Sequence, residues 1–149
     1  MSNNLELAND GLWAVVEATY PDPISRHRNP AGHAKPAIKD AGIAAYVAQV
    51  DDEDPEVLRV MCGPIYDLRA STTITFAFSG KTKAERQQMA RASRDLLVAA
   101  LEADHTLGGA CEYADIDGSS AIEAADTDWM AGGLDVRVGL LFTAATKAG

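Results

Sequence analysis

The chain has 149 residues, 13 Lys and Arg against 22 Asp and Glu, and a formal net charge of −9. That length suits a single small domain over residues 1–149, able to bury about 70% of its unfolded surface without metal or disulfide support. The acidic balance argues against a protein that grips nucleic acid by displacing phosphate counterions, and no apolar run approaches the roughly 18 to 20 residues of a bilayer span.

The opening MSNNLELAND has neither the basic start nor the apolar core of a signal peptide, so a soluble, intracellular chain is expected. Leu5, Ala8, Leu12, Val15, Val16 and Thr19 then fit one helical face despite Gly11; Val15, Val16 and Thr19 also suit a strand, and a helix ending before Pro21 is the preferred reading. The stretch 43–50 reads as a strand broken by the acidic, Pro-containing run 51–55, and residues 57–61 read as another short strand. Tyr66, Leu68, Ala70, Thr72, Ile74, Phe76 and Phe78 alternate with Asp67, Arg69, Ser71, Thr73, Thr75 and Ala77, the period of a half-buried strand.

Gly80 and Lys81 turn the chain into the clearest helix, predicted over residues 82–103. Thr82-Lys83-Ala84-Glu85 has the form of a capping box, and Met89, Ala92, Leu96, Leu97, Ala100 and Leu101 make one apolar stripe. Gly118-Ser119-Ser120 is expected as a turn inside an extended segment over residues 112–130. A last strand enters through Gly132-Gly133, with Leu134, Val136, Val138, Leu140 and Phe142 on one face. These elements predict a small α/β (α+β) domain with a mixed, mostly antiparallel sheet and two helices packed on one face.

Charge is segregated along the chain. Residues 24–39 hold Arg26, Arg28, Lys35 and Lys39 with no acid, whereas residues 95–136 hold acids and no Lys or Arg; a second acidic knot is Asp51, Asp52, Glu53, Asp54 and Glu56. Such separation suits head-to-tail contact between identical copies.

No catalytic constellation emerges. His105 follows Asp104 without a nucleophile beside it, Ser119-Ser120 lack a G-x-S-x-G elbow, and the glycine pairs lack phosphate-loop spacing. His27, His33 and Asp40 do not have compact zinc spacing, and Asp115, Asp117, Glu123, Asp126 and Asp128 lack the order of a calcium loop, so no metal and no cofactor are expected. Cys62 and Cys111 read as reduced thiols of the core. Trp13 and Trp129 are apolar anchors, either of the core or of an interface.

Taken together, Arg28-Asn29, Asp54-Pro55-Glu56-Val57-Leu58, Tyr66-Asp67-Leu68-Arg69-Ala70 and Leu101-Glu102-Ala103-Asp104-His105-Thr106-Leu107-Gly108-Gly109 carry a resemblance. In this order, and over about residues 5–146, the chain resembles the tail terminator (tail completion) family of long-tailed bacteriophages and phage tail-like particles. Residues 30–40 are longer and more basic than the family pattern. The resemblance implies a structural virion protein, assembled in the host cytoplasm, whose homohexameric ring caps the tail tube, ends tube polymerisation and docks the head-tail connector. It implies no reaction and no cofactor.

Within such a ring, Arg26, Arg28, Lys35 and Lys39 of one copy would face Asp51, Asp52, Glu53 and Asp54, or the acids of 112–128, in the next, with Trp129 at an interface. Asp115, Asp117, Glu123, Asp126 and Asp128 would face the lumen and let DNA pass without specific binding. The rival readings are another head-tail adaptor or tube subunit of the same particle, and a small transferase or hydrolase using His105 or His27.

Overall fold

The computed structural model describes residues 4–22, 24–30, 46–61, 65–79, 82–123, 131–147 and 149. In chain order they form α1 (Asn4–Thr19), β1 (Ser25–Arg28), β2 (Tyr46–Val50), β3 (Glu56–Met61), β4 (Ile65–Ser79), α2 (Lys83–Ala103), β5 (Tyr113–Glu123) and β6 (Ala131–Ala144). The strands make one six-stranded sheet in the order β1-β2-β4-β6-β5, with β3 also paired to β4. Among the described residues only the β1–β2 pairing is parallel. The expected class, a mostly antiparallel α+β sheet with two helices, is what the chain adopts.

The alternation read in the sequence becomes the two faces of the sheet. Leu68, Ala70, Thr72, Ile74, Phe76 and Phe78 of β4, and Leu134, Val136, Val138, Leu140 and Phe142 of β6, are buried beneath the helices. Their intervening neighbours stand on an open face, because successive strand residues point to opposite sides. β4 and β6 pair continuously from Tyr66↔Ala144 to Ser79↔Ala131 and form the spine of the sheet.

α2 starts at Thr82, whose hydroxyl accepts the Glu85 N–H at 3.1 Å, and buries Met89, Ser93, Leu97 and Leu101. α1 buries Leu5, Ala8, Asn9, Leu12 and Val16. Gly11 is the close-approach point of this helix: a Cβ there would strike the Cβ of Ala110. Just past α1, the buried Tyr20 donates to the Ser93 carbonyl at 2.6 Å and packs edge-on to Phe76, with ring centroids 5.2 Å apart. One side chain thus ties both helices to the sheet. The half-buried Trp13 packs against the core, and Cys111 is a free, buried thiol.

One strand was not anticipated, and one expectation needs correction. Ser25-Arg26-His27-Arg28 is a strand, which its charged sequence did not announce; it forms because β2 offers a parallel edge. Gly118-Ser119-Ser120 is not a turn: β5 runs through it, and a bulge between Ile116 and Gly118 absorbs the irregularity, with Gly118 at φ 152°. Cys62, Gly80-Lys81 and residues 43–45 lie outside the described residues.

β2 and β3 lie on the same side of β4. β2 pairs with Thr73–Ala77 and β3 with Ile65–Arg69, while β6 occupies the opposite side throughout. β1 covers the outer edge of β2 and ends at Arg28. β3 therefore continues the line of β2 beyond the reach of β1.

Candidate functional site

Three surfaces stand out, and two of them carry the charged residues singled out in the sequence. The first lies where the acidic knot leaves β2. Arg28, at the end of β1, holds Asp51 through Nε and Nη2, the shorter contact being 2.8 Å, and its Nη2 also reaches Asp10 of α1 at 2.6 Å. The left-handed Asn29, at φ 48°, turns its side-chain oxygen to accept the Asp51 N–H at 2.8 Å. Gln49 Nε2 donates both to Asp51 and to the Asn9 carbonyl, and Asn9 accepts from the Thr72 hydroxyl at 2.6 Å.

Burial pushes the Asp51 carboxyl up, but hydrogen bonds from Arg28, Gln49 and Asn29, together with the Arg28 charge, outweigh it and hold the group below the usual carboxylate value. Burial likewise works against the Arg28 charge, and the Asp51 and Asp10 carboxylates overcome it. Asp52 organises the rest of the knot, accepting from Ser71 N at 2.8 Å and Asp54 N at 3.0 Å. Glu53 and Asp54 are exposed.

The ion pairing anticipated between copies is thus made within one chain for Arg28 and Asp51. Arg26 also has an internal partner, Asp22, at 3.0 Å. His27 stacks on Tyr46 with centroids 5.0 Å apart and meets the Ser25 hydroxyl at 2.8 Å. Lys35, Lys39, His33, Asp126, Asp128 and Trp129 lie outside the described residues.

The second surface is the open face of the sheet. Here Arg59 pairs with Asp67 at 2.7 Å and Arg69 pairs with Asp117. Two glycines lie beside the guanidinium groups: a Cβ on Gly139 would stand 3.4 Å from Arg69 Nε, and one on Gly118 would stand 3.0 Å from Arg137. Asp115 is exposed and accepts from Ile116 N at 2.8 Å; Glu123 is the last residue of β5. Of the acids proposed for a lumen, Asp115 and Asp117 therefore share this face, and Asp117 is already compensated by an arginine. Leu58, Arg69, Tyr113, Ile116, Gly139 and Leu141 border an open trough of about 340 Å³ on it.

The third surface was missed in the sequence. All six residues of β3 are exposed, and Val57, Leu58, Val60 and Met61, with Ile65 at the start of β4, form an uncovered apolar strip. The available signal was a short strand with apolar residues on consecutive positions rather than alternate ones, which puts apolar side chains on both of its faces.

The segment 104–111, which carried part of the resemblance, is a hydrogen-bonded knot joining α2 to β5. The Asp104 carboxylate accepts from Thr106 N, the Thr106 hydroxyl and Gly108 N, and these bonds hold its carboxyl below the ordinary range. Leu107, Gly108 and Gly109 all have positive φ, which the two glycines adopt without strain. His105 donates from Nδ1 to the Ala114 carbonyl at 2.8 Å, while its own carbonyl accepts the Ala114 N–H at 2.7 Å. Its ring stacks on Tyr113 with centroids 4.5 Å apart. Burial pushes the Cys111 thiol up to about 11, so it is held as a neutral core group.

Among the described residues, no group of three or more His, Cys, Asp or Glu is arranged to hold a metal ion, and no helix is long and apolar enough to cross a membrane. Comparison of the chain with protein-family models and with curated proteins finds no match to either.

Proposed function

We propose that the chain is a structural component of a phage tail or tail-like particle, a tail terminator whose hexameric ring caps the tail tube, stops its growth and receives the head-tail connector. The observation that carries this reading is that the short motifs behind the resemblance, Tyr66 to Ala70 within β4 excepted, lie at junctions of the fold. Arg28-Asn29 clasps the loop that leads into Asp54-Pro55-Glu56-Val57, and Asp104 to Gly109 ties the central helix to β5. Residues that set how elements join are the ones expected to recur in proteins sharing this architecture.

The distribution of surface supports it further. Among the described residues both helices lie on one side of the sheet and the other side is open for contact, with Arg59 and Arg69 each paired to an aspartate there. A lumen lined by such a face would let DNA slide without a net basic groove to hold it. A tube subunit of the same particle is the second reading, favoured by the outer edge of β3, which pairs with no strand among the described residues, since an open strand edge suits repeated stacking.

The test is the mass of the purified protein, alone and mixed with the tail tube protein encoded with it, by light scattering and negative-stain microscopy. A ring of six, or a smaller species that becomes a cap and sets tube length, is expected. A monomer that ignores tubes overturns the terminator reading, and an open-ended polymer of this chain favours the tube subunit.

A further inference from the structure

We propose that β3 is a self-recognition edge, at which two copies of this chain pair antiparallel about a two-fold axis. One edge of β3 is bonded to β4, and no strand among the described residues pairs with the other. Its backbone N–H and C=O groups there require backbone partners, so the occupant that fits is an extended strand. Val57, Leu58, Val60 and Met61 are 37–62% exposed, a contiguous apolar strip that a second strand of the same kind would cover on both faces.

The charges select a second β3 as that strand. Because the bulge between Val57 and Arg59 inserts one extra residue, Glu56 and Arg59 both fall on the open face, opposite Arg69 and Asp67 respectively. An antiparallel copy reverses the order, setting Glu56 of each chain beside Arg59 of the other; a parallel copy would set like against like. Opposite charges across strands stabilise a pair and like charges destabilise it. The other edges of the sheet are poor partners. β1 is four residues of Ser, Arg, His and Arg, and the start of β5 is occupied by His105.

The contact is isologous, unlike the head-to-tail contact that closes a ring, so it does not rest on the cap reading. The test is light scattering and sedimentation of the full chain from micromolar to millimolar concentration, with folding checked by circular dichroism. A dimer is expected for the wild type. Val60→Lys, a charge in the middle of the strip, is expected to raise the dissociation constant at least tenfold. Glu56→Arg and Arg59→Glu should each raise it by roughly tenfold, and the double variant should recover most of the loss. Should Val60→Lys fail to fold, the charge swap at two exposed positions still decides. A wild type that stays monomeric, single reversals without effect, or a double variant no better than the singles overturns the proposal. A six-membered ring indifferent to Val60→Lys overturns it too, yet leaves the cap reading intact.

Discussion

Strands β5 and β3 both lie on edges of one sheet, and they treat the exposed backbone differently. At the start of β5 the chain supplies its own closure: His105 engages both the N–H and the carbonyl of Ala114, Asp115 takes the Ile116 N–H, and a bulge at Gly118 breaks the regular edge. β3 has a bulge but, among the described residues, no such closure, and its apolar side chains face water on both sides. Closure at β5 removes a site of association, whereas apolar exposure at β3 leaves one. The difference separates the part of the molecule that serves folding from the part available for contact.

The strongest way to break that division is to truncate across it, within one register pair. Leu68 and Val57 stand opposite each other on β4 and β3, but Leu68 is 0% exposed and Val57 is 37% exposed. Leu68→Ala is expected to cost about 2–5 kcal/mol through lost burial and the cavity left behind. Val57→Ala should cost less than about 1 kcal/mol in the isolated chain. Urea unfolding of both variants measures this, and equal losses would mean that β3 belongs to the folding core after all.

A smaller loss is expected at the clasp beneath the acidic knot. Asp51→Ala removes charged hydrogen bonds to Arg28 and one to the buried Gln49, at about 1.5–3 kcal/mol. The same pairing makes stability depend on pH. The carboxyl is depressed in the folded chain, so its contribution is fully present above the unfolded value near 4 and is lost as pH falls through the folded one. Asp51→Asn should therefore flatten the acid limb of a Tm-against-pH curve below about pH 4. An unchanged limb would place the acid sensitivity elsewhere.

How far these regions could be read from sequence follows from the physics of each. β4, β6 and both helices announce themselves because one buried face imposes a period on the residues, and Thr82 marks its helix start by a local bond. β1 has no such period: Arg26, His27 and Arg28 become a strand only through β2, a partner that local pattern does not reveal. Gly118-Ser119-Ser120 has turn composition, yet the ladder to β6 overrides it. Segregated charge was legible, but its pairing was not, since Arg28 and Asp51 are 23 positions apart and meet only because β1 lies beside β2. Exposure of β3 depends on where β1 and the helices end, which is a property of the assembled sheet.

The smallest expected effect tests the closure of β5 itself. His105 contributes two separable things there, a hydrogen bond from Nδ1 to the Ala114 carbonyl and a ring stacked on Tyr113. His105→Phe keeps an aromatic ring but cannot donate, and should cost about 1 kcal/mol, the net worth of one hydrogen bond. His105→Ala loses the stack as well and should cost up to about 1 kcal/mol more. In both variants the backbone bond from Ala114 N to the His105 carbonyl remains, so the Ala114 amide should still exchange slowly. Fast exchange in His105→Phe would mean that the imidazole, rather than the Asp104 knot, positions the loop against the strand.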